Sequence, residues 1–320
     1  MENNSNPNWE RQALEHLLLE NLKETRKARR WKAVLRVLTL LVIVAVLFAV
    51  FDFHLPGRGM SVERHTAMVT LDGEISSSTM ANAMDINSSL VSAFENEHSA
   101  GVVLRINSPG GSPVQAGMIN DEIHRLRKLY PNKPFYVVVE DICASGGYYV
   151  AVAADQILVD KASLVGSIGV IMEGFGFTGL MDKVGVTRRM ITAGSNKGML
   201  DPFSKEDPKQ VEMVRTMIDE IHQQFIKVVK EGRGDRLKDS AELFSGRVWN
   251  GEQAVKLGLA DGFGTVDTVA RDVFKAPDVL DYTMKENFAE RVAKRFGAEV
   301  GAGVGIIADV GIGELAGTEI

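Results

Sequence analysis

Two turns with paired glycines, each directly after an apolar run, hold the residues best suited to covalent chemistry. The first is Asn107-Ser108-Pro109-Gly110-Gly111, which follows Val102-Val103-Leu104-Arg105-Ile106. Paired glycines after a strand let backbone N–H groups face outward with no side chain in the way, forming a nest that suits an oxyanion. The second is Ala144-Ser145-Gly146-Gly147-Tyr148-Tyr149, after the run from Phe135 to Ile142. A serine at such a strand-to-helix transition sits where a helix N-terminus favours developing negative charge, and Gly146 offers an unobstructed amide. Serine is also a common N-cap, so the turn alone leaves both roles open.

A serine nucleophile needs a base. Of the six histidines, His16 lies in the N-terminal tail ahead of the apolar segment, His54 abuts the end of that segment, and His65, His98, His124 and His222 stand in helical or polar settings that read as surface. No H-E-x-x-H, G-x-S-x-G, S-x-x-K or K-T-G set occurs. The remaining base is a lysine, as in Ser-Lys variants of the catalytic triad. Lys197 stands out because it lies in Thr192-Ala-Gly-Ser-Asn-Lys-Gly-Met-Leu-Asp-Pro-Phe203, a glycine-bearing, apolar loop, whereas most other lysines sit in charge-rich segments. An ordinary lysine titrates near about 10.4 and must be desolvated before it can accept a proton at neutral pH. Asp201 and Asp207 would oppose that shift if they faced the ammonium.

The elements that must position these turns alternate in type. Thr66 to Leu71, Val102 to Asn107, Phe135 to Glu140, Gln156 to Asp160 and Arg188 to Thr192 read as short strands. Ser88 to Glu97, Val114 to Lys128, Ser145 to Ala154 and Gly179 to Val184 read as helical. That order predicts an α/β fold with helices covering largely parallel strands. Pro208 to Gly232 predicts a long amphipathic helix, with Val211, Val214, Ile218, Ile221, Phe225 and Val228 as a core or subunit-packing stripe rather than a ligand site.

Composition narrows the class further. The 320 residues are 45% hydrophobic and 24% charged, which excludes a disordered chain, and the single Cys143 excludes an internal disulfide or a multi-cysteine zinc site. The net charge of −6 conceals an asymmetry: residues 1–36 carry +3 and the remainder −9. Between the two parts, Val37 to Phe51 contains no charge, and Ala33 to Phe53 is just long enough to cross a bilayer as a helix apolar all round. The basic residues before it place the N-terminus in the cytoplasm by the positive-inside rule, and about 36 residues of preceding chain read as an uncleaved anchor rather than a signal peptide. The expected organisation is a basic tail (1–32), a transmembrane anchor (33–53), a linker (54–65), a catalytic domain (66–282) and an extension (283–320). Nothing in the charge pattern calls for nucleic acid, and the chemistry calls for no cofactor and no metal.

Asn107-Ser-Pro-Gly-Gly111, Ala144-Ser-Gly-Gly-Tyr-Tyr149, Val165-Gly-Ser-Ile-Gly-Val170 and Gly194-x-x-Lys197, in that order and spacing, resemble the signal peptide peptidase A family of membrane-bound Ser-Lys peptidases. The likeness covers about residues 66–275. It implies a ClpP/crotonase-like fold, Ser145 as nucleophile, Lys197 as general base, and oxyanion donors at the Gly110 and Gly146 amides. Ser167 is either a residue that orients the lysine amine or a plain turn serine. Longer members carry two tandem copies of the domain and this chain carries one. For one-copy relatives the resemblance implies a homo-oligomeric ring in which serine and lysine meet between protomers. The expected substrates are signal peptides or other membrane-associated peptides, on the outer side of the bacterial inner membrane.

Two other functions fit parts of the pattern. A crotonase-like acyl-CoA enzyme would use the same glycine amides, but soluble CoA is not expected outside the cytoplasm. A catalytically silent, membrane-tethered scaffold is favoured only if Lys197 reaches no Ser145. Gly174-Phe-Gly-Phe-Thr-Gly179 matches a dinucleotide fingerprint, yet too short a helical stretch follows it, so a glycine-rich loop is expected. Cys143 reads as a small buried hydrophobe.

Overall fold

The computed structural model describes residues 63–285 except 239, together with 15–16, 24, 26–27 and 29–44. Residues 29–44 form a helix, α1, whose side chains are exposed. Among the described residues no helix is long and apolar enough to cross a membrane. Residues 45–53 of the expected anchor lie outside the described residues, as do most of the 1–32 tail, linker residues 54–62 and extension residues 286–320.

The second unit spans Met60–Met284. Its elements are β1 (His65–Asp72), α2 (Ala83–Glu95), β2 (Ser99–Ser108), α3 (Pro113–Leu129), β3 (Phe135–Ala144), α4 (Gly146–Ala151), β4 (Gln156–Val159) and β5 (Leu164–Gly166). There follow α5 (Thr178–Val184), α6 (Pro208–Arg233), β6 (Val248–Asn250), α7 (Gly251–Leu257), β7 (Gly262–Phe263), α8 (Val266–Thr268), which continues as a π turn over Val269–Val273, and β8 (Val279–Asp281). One mixed sheet runs in the order β6-β5-β3-β2-β1-β8, with β4 and β7 branching from β3. Every pair is parallel except β5 with β6.

The near-continuous apolar runs of β2 and β3 follow from burial on both faces. Val102, Leu104, Ile106, Val137 and Val139 enter the main core with Ile86, Leu90, Ile119 and Ile123 of α2 and α3. The alternate residues Val103 and Val138 enter a second cluster with Val269, Phe274 and Ala276. Caps set where the helices begin: the Asn82, Ser112 and Asp207 side chains accept from the amides of Asp85, Gln115 and Lys209.

Strand β3 is shared between two neighbours. Its first half pairs with β4 (Tyr136 to Val138) and its end pairs with β5 (Ile142 to Ala144). Against β2 the register jumps from Ile106↔Val139 to Ser108↔Cys143, so β3 carries extra residues around Glu140 and Asp141. Bulges of this kind bend a strand, and here the irregularity falls where β3 changes partner from β4 to β5, just before the turn that holds Ser145.

Two expectations fail here. Arg188 to Thr192 is not a strand, because it lies in a segment, Gly169 to Gln210, with no fully buried residue and no strand to pair with. His65 is not a surface residue: it is buried, with Nε2 2.9 Å from the Tyr282 hydroxyl. The short strands β5 to β8 and helix α7 were not expected at all.

At its C-terminal end α6 is locked by charge. Arg233, 1% exposed, donates to both carboxylate oxygens of Asp261 at 2.8 Å and to Gly258 O. Burial pushes the Asp261 carboxyl up. The hydrogen bonds from Arg233 and the Ile157 amide and the charges of Arg233 and Arg236 outweigh burial and hold it below the ordinary carboxylate value. The folded chain thus keeps this charge to lower pH than the unfolded chain. The resulting stability is complete above about pH 4 and is lost as pH falls through the lower folded value. Arg233→Met should cost about 3 kcal/mol at neutral pH by urea unfolding, since it leaves a buried carboxylate short of a partner. The gap from wild type should shrink as the pH drops below about 4.

Candidate active site

Ser145 follows β3 directly and stands at the N-cap position of α4 with φ 50° and ψ −121°. A left-handed φ at a residue with a Cβ costs on the order of 1 to 3 kcal/mol and persists only where the surroundings enforce it. Here Ser145 N donates to Gly166 O at 2.9 Å, and Ser145 O accepts from Tyr149 N at 3.0 Å. The hydroxyl makes no capping hydrogen bond, so the capping role left open by the sequence is not the one this serine fills.

The two glycine turns meet. A Cβ placed on Gly110 would stand 2.7 Å from Gly146 N, 2.7 Å from Ser145 Cβ and 2.8 Å from Ala144 O, and the residue has φ 102°. Beside it, Gly111 N lies 3.3 Å from where a Cβ on Gly146 would be. The Gly110 amide, one of the two expected oxyanion donors, is already engaged: it donates to the buried Ser108 hydroxyl at 3.1 Å. The next amide of the same turn, that of Gly111, is a further candidate donor because its nitrogen comes close to Gly146. Gly110→Ala has no room for its methyl and should separate the turns. The expected result is about a hundredfold slower reaction with a fluorophosphonate serine probe, in line with the effect of ångström-scale misplacement.

Ser145, Gly111, Ala116, Tyr149, Ile221 and Phe225 line a cavity of about 150 Å³. Its wall is largely apolar, and the Tyr149 and Phe225 rings pack with centroids 5.2 Å apart. Ile221, Gln224 and Phe225 of α6 are therefore site residues as well as packing residues, against the expectation for that helix. Their apolar spacing carries no signal that separates a cavity wall from a core stripe. His222 points elsewhere, with Nε2 3.1 Å from Ile168 O, and no histidine is among the residues lining the cavity.

Lys197 is not around this cavity within one chain. It is exposed, in a turn closed by Lys197 N donating to Gly194 O at 3.2 Å. Ile191, Met199, Leu200 and Phe203, on the same segment, are also exposed. Neither neighbouring aspartate is committed to Lys197. Asp201 pairs with Arg188 at 3.5 Å and accepts from the Ser204 hydroxyl, and Asp207 caps α6. Ser167 is half-buried with φ 51°, and its amide donates to Arg247 O at 2.8 Å. It lies one residue beyond the carbonyl that holds Ser145 N. Cys143 is fully buried, which pushes its thiol far up and leaves it unreactive. Gly174 to Gly179 runs into the seven-residue α5, with no strand before it, and is a glycine-rich loop.

The family model for Peptidase family S49 matches residues 127–279, a stretch that holds both Ser145 and Lys197. The chain is 42% identical over 225 residues to a Brucella abortus (strain 2308) protein named Na(+)/H(+) antiporter NhaA, a match covering 69% of this chain and 30% of that protein. It is 33% identical over 186 residues to a putative signal peptide peptidase SppA of Enterococcus faecium, covering 58% of this chain and 54% of that protein. The matches thus span less than two thirds of the length of these relatives. A putative protease of Synechocystis sp., slr0021, is 31% identical over 206 residues, covering 64% of this chain and 72% of that protein. With a relative matched over most of its own length and the family model running through both candidate catalytic residues, the chain belongs to peptidase family S49, the signal peptide peptidase A family.

Proposed function

We propose that the chain is a serine endopeptidase with a Ser-Lys dyad on a ClpP/crotonase-like domain, and that it hydrolyses peptides through an acyl-enzyme. The observation that carries this reading is Ser145 itself. Its backbone is held at φ 50°, its hydroxyl caps nothing, and it lines a largely apolar cavity together with Gly111 and Gly146.

Ser145 Oγ attacks the carbonyl carbon of the scissile peptide while Lys197 Nζ takes the hydroxyl proton. The oxygen of the tetrahedral intermediate accepts from Gly111 N and Gly146 N, preorganised donors that need no reorganisation as charge develops. The C–N bond then breaks, and Lys197 returns the proton to the leaving amine. Water adds to the serine ester by the same route, the acid leaves, and Ser145 is regenerated.

Lys197 enters from a neighbouring copy of the chain. Its exposure, and that of Ile191, Met199, Leu200 and Phe203 on its segment, supports a surface that closes against a second protomer. Burial there would lower the ammonium's affinity for its proton and free it to act as base. Residues 33–53 anchor the assembly in the bacterial cytoplasmic membrane with the catalytic unit outside. Signal peptides and other membrane-associated peptides are its substrates. The small apolar cavity suits the side chains of such peptides.

Reaction of the full chain in detergent with a fluorophosphonate probe, followed by mass mapping of the modified peptide, tests the reading. The adduct is expected on the peptide containing Ser145. A chain that stays unmodified, or carries the adduct on another serine, would overturn the assignment.

A further inference from the structure

We infer that Asn120 is a positioning residue for the nucleophile, a role that rests on the reading of Ser145 given above. Asn120 lies two turns into α3, the helix that begins just after Gly110 and Gly111, and is 3% exposed. Its side-chain amide donates to Tyr149 O at 2.8 Å. A carbonyl oxygen only accepts, so the donor is fixed as the Nδ2 group.

Tyr149 O is one of the carbonyls that a helix as short as α4 leaves without an internal partner. The amides beyond the helix go elsewhere: Val152 N donates to Tyr148 O, Ala153 N to Val150 O and Ala154 N to Ala151 O. The bond from Asn120 therefore completes α4, and it does so from the helix that starts at the opposing turn. One turn before Asn120, Ala116 lines the cavity and lies 3.4 Å from where a Cβ on Gly146 would stand. One turn before Tyr149 O, the same helix carries Ser145. Asn120 thus sets the advance of α4 along α3, and so the offset between Ser145 with Gly146 on one side and Gly111 on the other. Arg127, also on α3, donates to Ala153 O at 2.6 Å, a second tie farther from the nucleophile. It leaves the segment after α4 attached when Asn120 is replaced.

Positioning and mere stability give different results. A purely structural residue changes how many molecules are folded. A positioning residue changes the rate constant of each folded site. The rate constant and the final stoichiometry of fluorophosphonate reaction with the full chain separate these two effects.

Asn120→Leu should keep full stoichiometry while the rate constant falls about tenfold, because the isobutyl group fills the space without donating. Asn120→Asp, of the same shape, should react faster than Asn120→Leu at pH 5, where a buried carboxyl holds a proton to donate to Tyr149 O. Wild-type rate constants in Asn120→Leu, a loss confined to stoichiometry, or equal rates for the two variants at pH 5 would each overturn the inference. Failure of the wild type itself to react at Ser145 would instead overturn the functional reading.

Discussion

Ser145→Ala should lower peptide hydrolysis by the full chain in detergent by a thousandfold or more, on the order seen when a member of a serine triad is removed. The variant should fold as wild type does, because the hydroxyl makes no capping bond. Ser145→Gly separates chemistry from conformation still further. It should be equally inactive, yet melt at a higher temperature than Ser145→Ala, since glycine adopts φ 50° without the steric cost a Cβ imposes. Steady-state rates on a fluorogenic peptide and thermal melts of the three proteins check this. Activity retained in Ser145→Ala would remove the nucleophile from the mechanism.

The second large effect concerns Lys197. Alone, Lys197→Ala should be as inactive as Ser145→Ala, because an unassisted serine hydroxyl is a weak nucleophile. Co-assembly of the two inactive variants in equal amounts should restore activity to about one quarter of wild type. A ring built from head-to-tail contacts then pairs an intact serine with an intact lysine from the neighbour at about one site in four. The check is to unfold and refold the variants together, with each refolded alone as control. If the dyad instead lay within one protomer, no mixture would recover activity, since every protomer would lack one partner.

The parts of the site legible in the sequence were those marked by glycine. Turns with paired glycines after apolar runs announce themselves, and Ser145, Gly146 and the Asn107 to Gly111 turn were located that way. The resemblance pointed to the Gly110 amide, and the bond from that amide to the Ser108 hydroxyl was not legible, because it depends on how the turn folds back on its own serine. The α6 wall was invisible as a site, since Ile221 and Phe225 obey the same spacing whether they face a core or a cavity. Arg188 to Thr192 has strand-like composition, but a strand needs a partner, and its segment buries nothing in a single chain. Strands β5 to β8 are only two or three residues long, too short for any alternation to register. Asn120 lay in a correctly expected helix but was not singled out. A buried asparagine on an otherwise apolar face is the signal that could have drawn attention to it.

The sharing of β3 between β4 and β5 links the nucleophile to the edge of the sheet. Val137 in the half of β3 paired with β4 and Cys143 in the half paired with β5 both enter the main core, as do Val165 of β5 and Trp249 of β6. The half beyond Glu140 and Asp141, which leads into Ser145, stays paired with β2 through Ser108↔Cys143 and on its other side meets β5 and through it β6, a short antiparallel pair at the end of the sheet. Ser145 N is fastened to Gly166 O on that pair, and Trp249 of β6 packs within 3.0 Å of where a Cβ on Gly166 would stand. The reactive turn is therefore tethered to the edge of the sheet as well as to its middle, and because Val165 and Trp249 belong to the main core, a change at that edge reaches Ser145 and the unit's stability together.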